Sequence, residues 1–176
     1  REMLPSGLRL RYLPKNEKHG AISFKQFPDQ YGYRCERGHL SRKPLYPDPE
    51  RENGIYCNRV DSNGELCGRP ASPTRFVSIC SNGHMENFNY YNWVHRGNNC
   101  GDYDAGIDLI YGPDARITLD DWIVRCTSCD RERSLGRALW VNEGDGDSPP
   151  CNGNLPWLGF GVQENCDSDG MTHVQT

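Results

Sequence analysis

The stretch RFVSICSNGHMENFNYYNWVHRGNNC, Arg75 to Cys100, carries four potential metal ligands (Cys80, His84, His95, Cys100) and five aromatic residues in 26 positions. An apolar β-type run, Phe76, Val77 and Ile79, leads into a Cys-x-x-Gly-His knuckle, and an aromatic segment, a second His and a second Cys follow. Two cysteines with two histidines make a complete tetrahedral zinc set. Asn87 is placed to cap a short helix from Phe88 to about Val94, with Tyr91 and His95 one turn apart. A single straight helix from His84 to His95 cannot serve one ion, because eleven residues at 1.5 Å rise separate them by roughly 16 Å. The knuckle is therefore expected to fold back onto a helix that starts after His84.

Outward from this stretch the same chemistry repeats. Cys35-Glu36-Arg37-Gly38-His39 has the spacing of Cys80-Ser81-Asn82-Gly83-His84. A glycine before the second ligand can take positive φ, which curls the loop so that both ligands face one ion. After a Pro-rich linker, Lys43 to Pro49, Cys57 and Cys67 flank the turn Asp61-Ser62-Asn63-Gly64 and read as the two arms of a hairpin. Downstream, Gly106–Tyr111 and Trp122–Arg125 read as strands, the second ending in Cys126-Thr127-Ser128-Cys129; Ser134 is placed to cap a second short helix, Leu135 to Trp140. The acidic loop Asn142 to Pro150 precedes Cys151 and Cys166. Towards the N-terminus, Leu8 to Leu13 alternates apolar and basic residues like an edge strand, and Ala21 to Phe24 reads as another short strand.

Taken in order, the ligands fall into Cys35, His39, Cys57 and Cys67; then Cys80, His84, His95 and Cys100; then Cys126, Cys129, Cys151 and Cys166. These sets use all nine cysteines and three of the five histidines, leaving His19 and His173. Complete fours with no cysteine over point to three structural zinc ions. A redox reading of Cys126 and Cys129 lacks the βαβ context of a thioredoxin-like site. A zinc nuclease built on His84, Glu86 and His95 is the competing enzyme reading, but it needs an open coordination position that four protein ligands close.

Composition agrees with a metal-dependent fold. Only 35% of the 176 residues are hydrophobic, and the mean hydropathy is −0.82. A core this thin calls for staples, and an odd number of cysteines, closely spaced with histidines, suits ions better than a disulfide framework. The expected fold class is α+β: small, irregular and zinc-stabilised, with short antiparallel strands, zinc knuckles and two short helices. The expected segments are a basic strand segment at 1–30, a first zinc module at 31–74, a central two-cysteine, two-histidine module at 75–118 and a four-cysteine module at 119–176.

No apolar run approaches the roughly 18 residues of a membrane span and no signal peptide is legible at the start, so a soluble cytoplasmic protein is expected. The chain also reads as one piece of a larger protein. Residues 1–50 carry ten Lys/Arg against six Asp/Glu, and residues 101–176 carry five against fourteen. Nucleic-acid phosphates, if contacted, are expected to meet Arg9, Arg11, Lys15, Lys18, Arg34, Arg37, Arg42 and Lys43.

The motif Arg75-Phe76-Val77, Cys80, Gly83-His84, Phe88, Trp93-Val94-His95 and Cys100, with Cys126-x-x-Cys129, Cys151-x-Gly153-x-x-Pro156-Trp157-Leu158-Gly159 and Cys166, resembles the DrmB-like family of the bacterial DISARM phage-defence system. The resemblance covers roughly residues 27–170 and is most specific from Arg75 onward. Where that family carries an acidic-Phe-Pro-aromatic run after Gly-His, this chain has Asn87-Phe88-Asn89-Tyr90, and family proteins are several times longer. The resemblance implies a non-catalytic zinc scaffold that acts with a helicase partner on foreign DNA; neither a small-molecule substrate nor a membrane is expected among its partners.

Overall fold

The computed structural model describes residues 32–41, 45, 48–52, 54–102, 104–111, 118–158 and 161–175. The expected strands at 8–13 and 21–24 lie outside them. Among the described residues the fold is mostly antiparallel sheet with one α-helix. A six-stranded sheet is built from β1 (Tyr33–Cys35), β2 (His39–Leu40), β3 (Ala71–Pro73), β6 (Ile107–Tyr111), β7 (Trp122–Cys126) and β8 (Glu132–Ser134), in the order β3-β1-β2-β6-β7-β8. A second sheet has β4 (Phe76–Ile79) at its centre, flanked by β5 (Met85–Asn87) and the C-terminal β9 (Thr172–Gln175).

Side-chain alternation explains the larger sheet. Ile107 pairs with Cys126 and Leu109 with Val124, so all four share one face, and each is at most 3% exposed. In the smaller sheet β4 has a partner on both sides, and Phe76, Val77 and Ser78 are buried in succession, the continuous pattern of an interior strand.

The helix α1 (Tyr90–His95) has only six residues, too few to persist alone in water. Packing holds it: Phe88, Tyr90, Tyr91, Trp93 and Val94 join Phe76, Ile107, Leu109, Val124 and Leu135 in one core. Trp93 donates its indole N–H to the Ser134 carbonyl at 3.1 Å, and the Arg133 guanidinium lies 3.5 Å from the Trp93 ring centroid. The cap is Asn89, whose side chain accepts from the Asn92 N–H at 2.9 Å; the expected cap, Asn87, is instead the last residue of β5. Burial of the Phe88 ring against Phe76 and Trp93 keeps the chain extended past Asn87 and delays the helix to Tyr90.

The expected helix at Leu135–Trp140 is reduced to a 3-10 turn at Ala138–Trp140. Ser134 belongs to β8, and the Leu135 N–H donates to the Trp122 carbonyl at 2.8 Å, which continues the sheet ladder where a helix would have begun. Strand pairing also crosses the expected segment boundaries: β2 pairs with β6, β6 with β7, and β4 with β9. Among the described residues no helix is long and apolar enough to cross a membrane.

Candidate metal centres

The first knuckle joins β1 to β2. Cys35 ends one strand and His39 starts the next, and the Gly38 N–H closes the turn on the Cys35 carbonyl at 2.9 Å. Gly38 has φ +86°, and a Cβ there would overlap the Leu109 carbonyl oxygen of β6. The Cys57–Cys67 hairpin closes on the Asp61 carboxylate, which accepts from the Asn63 and Glu65 N–H groups at 2.8 and 2.9 Å. Its base brings Cys57 to 3.6 Å from His39 Nδ1. Cys35, His39, Cys57 and Cys67 form one group whose ligand atoms all lie within 4.8 Å of one another.

The other two groups differ from the sets expected from chain order. Cys80 and His84 gather with Cys151 and Cys166, whereas His95 and Cys100 gather with Cys126 and Cys129, each again within 4.8 Å. The two-cysteine, two-histidine set and the four-cysteine set are thus corrected to two sets of three cysteines and one histidine, like the first. Strand β5 is the physical reason. Three extended residues at about 3.3 Å each, followed by the helix, carry the chain away from the second knuckle instead of folding it back. His95 then projects toward the end of β7, where Cys126 and Cys129 sit.

The shortest edges within the groups match those of ligands around a tetrahedral ion. Bonds of about 2.3 Å to sulfur and 2.0–2.1 Å to nitrogen put neighbouring ligands about 3.8 Å apart for S–S and about 3.5 Å for S–N. Cys80–Cys166 and Cys100–Cys126 each measure 3.9 Å between sulfurs. Sulfur to imidazole nitrogen measures 3.3 Å for Cys80–His84, 3.5 Å for Cys151–His84 and 3.4 Å for Cys129–His95. Disulfide sulfurs would sit about 2.05 Å apart. All nine cysteines are free.

Their acidities show what an ion would resolve. Burial pushes the Cys57 and Cys151 thiols up to about 12 and also raises Cys126 above the usual thiol value. Hydrogen bonding to the Asp102 backbone and the Tyr91 hydroxyl pulls Cys100 down to about 6, and the Ser168 hydroxyl and backbone N–H pull Cys166 down to about 6. Burial opposes ionisation of Cys67, yet the Arg69 backbone N–H and the neighbouring thiols bring it below the usual value. Every group therefore mixes a sulfur ready to ionise with one that resists, and a bound divalent cation would supply the charge that lets all three become thiolates.

Two histidines have identifiable outer partners. The His95 Nδ1–H donates to the Tyr91 carbonyl at 2.7 Å, which leaves Nε2 facing Cys129. His84 is turned the other way: Nδ1 faces the sulfurs, and Nε2 lies 2.8 Å from the Glu164 carboxylate, a contact that holds the imidazole pKa up to about 9. Glu164 escapes a motif search because its role depends on a hairpin that the ligand spacing does not reveal.

Glu86, the base of the nuclease reading, accepts from the Asn152 backbone and side-chain N–H groups, both at 2.8 Å, and His84 and His95 stand in different groups. No single centre therefore contains His84, Glu86 and His95. Of the basic positions, Arg34 lies over the Tyr111 ring at 4.3 Å and Arg37 is exposed on the first knuckle; Arg9, Arg11, Lys15, Lys18, Arg42 and Lys43 lie outside the described residues.

No curated protein matches the chain. One family does, over residues 2–176, a span that includes all twelve ligand side chains and both sheets: the chain belongs to the family described as "Domain of unknown function (DUF8724)".

Proposed function

We propose that each group of three cysteines and one histidine holds one structural zinc ion and that the domain is a non-catalytic, zinc-stabilised scaffold. The carrying observation is the tetrahedral spacing, S–S edges of 3.9 Å and S–N edges of 3.3 to 3.6 Å, in groups with four protein donors. Three thiolates and an imidazole favour zinc over the harder cations, which take oxygen ligands. When bound, zinc contributes folding free energy, and four protein ligands leave no position for a substrate or an activated water.

The resemblance to DrmB-like proteins supports the wider reading, that this scaffold serves a cytoplasmic bacterial antiphage complex and acts with a helicase partner on foreign DNA. The Lys/Arg-rich sequence of the first fifty residues supplies the cations proposed to meet phosphates.

Metal analysis together with chelation tests the first part. Three zinc per chain and loss of the native fold on chelation are expected; fewer than three zinc accompanied by metal-dependent DNA cleavage would overturn it. For the second part, the chain co-expressed with the helicase of such a system is expected to co-purify and to bind DNA with an affinity that falls steeply with salt. Salt-independent binding, or binding unchanged in Arg9→Ala with Arg11→Ala, counts against the phosphate contacts.

A further inference from the structure

The three groups share a donor set but not their surroundings, and in the second a carboxylate meets the histidine directly. His84 is 1% exposed, while the Glu164 side chain that meets its Nε2 at 2.8 Å is 59% exposed. A carboxylate only accepts here, so Nε2 carries the proton and Nδ1 is left as the ligand atom. The same hairpin supplies two of the three sulfurs. Asn154 pairs with Gln163, Leu155 donates to the Val162 carbonyl at 2.9 Å and Glu164 donates to the Gly153 carbonyl at 3.0 Å, so Cys151, Cys166 and Glu164 arrive together. Gly153, at φ +67°, is what allows this closure, because a Cβ there would overlap the Glu164 carbonyl oxygen.

We propose that Glu164 is the positioning residue of the second group: its carboxylate locks the His84 imidazole with Nδ1 toward the ion and raises that group's metal affinity. The proposal rests on the zinc reading above. A charged acceptor makes the imidazole a better donor than a neutral carbonyl does, and removing such an outer partner typically lowers metal affinity about 10- to 100-fold. The third group, oriented by the Tyr91 carbonyl, has no such carboxylate on its histidine.

Chelator competition on the zinc-loaded full chain, following each ion, tests it in Glu164→Ala and Glu164→Gln. Glu164→Ala is expected to release one ion of three at about 10- to 100-fold lower chelator strength, with the other two unmoved. Glu164→Gln, which keeps an acceptor without the charge, is expected to fall between Glu164→Ala and wild type. Heteronuclear NMR of the loaded protein supplies a readout that a merely structural role would not move: the His84 Nε2–H, protected in wild type and Glu164→Gln, is expected to exchange rapidly in Glu164→Ala. Wild-type release profiles in both variants would overturn the role of Glu164 while leaving the zinc reading standing. Fewer than three zinc in the wild-type chain would overturn both.

Discussion

Replacing Cys166 with Ala distinguishes the grouping in space from the grouping in chain order. In the structure Cys166 stands 3.9 Å from Cys80 and shares a group with His84 and Cys151, so on the zinc proposal its loss should release the second knuckle's ion. The expected stoichiometry falls from three zinc to two. With free zinc buffered about 100-fold above that group's Kd, the lost linkage is about 2.7 kcal/mol. At about 2–4 °C per kcal/mol for a chain of this size, the Tm should drop by about 5–11 °C. Cadmium-substituted protein gives the sharper assay. Three groups with the same donor set should place all three metal resonances in one chemical-shift window, and Cys166→Ala should remove the resonance that couples to His84. Three widely separated resonances, one of them from a four-sulfur ion, would refute the grouping. So would a Cys166→Ala variant that loses the ion bound by Cys126 and Cys129.

The two knuckle glycines share a conformation but not a neighbourhood, with φ +86° at Gly38 and +87° at Gly83. Gly83→Ala meets nothing within 4 Å and should cost only the left-handed term of about 1–2 kcal/mol, whereas Gly38→Ala must also displace the Leu109 carbonyl. Denaturant unfolding of the zinc-loaded variants should rank Gly38→Ala as the more destabilised, and the reverse order would defeat the close-approach argument. His173, buried between Phe88 and Trp93 and 2.9 Å from the Ser78 hydroxyl, is held down to about 4 by burial and by Arg133, with Asp147 opposing. The unfolded chain then binds the extra proton below its ordinary pKa of about 6.5, so stability present above that pH is lost as pH falls toward 4, by about 2–3 kcal/mol. Unfolding curves at pH 4 and 6.5 should show this added acid loss in wild type and not in His173→Leu; parallel losses would remove His173 as its source.

The strands at Ile107–Tyr111 and Trp122–Cys126 were legible because each alternates over a half-buried face, and the hairpin at Cys57–Cys67 because Asp61 to Gly64 is turn chemistry. The twelve ligands were legible as residue types, six of them at knuckle spacing. Their partnership was not, because it depends on strand pairing far along the chain: β9 returns to β4, and the Cys151–Cys166 hairpin lies against β5, with the Met85 N–H donating to the Asn154 carbonyl at 3.2 Å. Similarly, Ser134 has the chemistry of a helix cap, but a sheet bond to Trp122 claimed the backbone after it.

Loop length could not have settled the matter. In chain order the connecting loops run from His84 to His95 and from Cys129 to Cys151, 11 and 22 residues; in the structure they run from Cys100 to Cys126 and from His84 to Cys151, 26 and 67 residues. The logarithmic closure term makes the longer pair less favourable by only about 2 kcal/mol. Both groupings hold the same number of ions, and the binding free energy of a structural zinc in zinc-finger peptides, about 10–16 kcal/mol, is several times that difference. The choice therefore passes to packing, and to a nesting that reduces even that small difference. The third group closes residues 95–129 inside the loop spanned by the second, which shortens the effective outer loop to about half and returns about 0.6 kcal/mol. The core forms in the same place, since α1 and β7, which carry the inner ligands, also supply Trp93, Val94 and Val124 to it. An inner group assembled with its sheet and helix leaves the outer group to fasten the Cys151–Cys166 hairpin over the second knuckle, with Glu164 already beside His84.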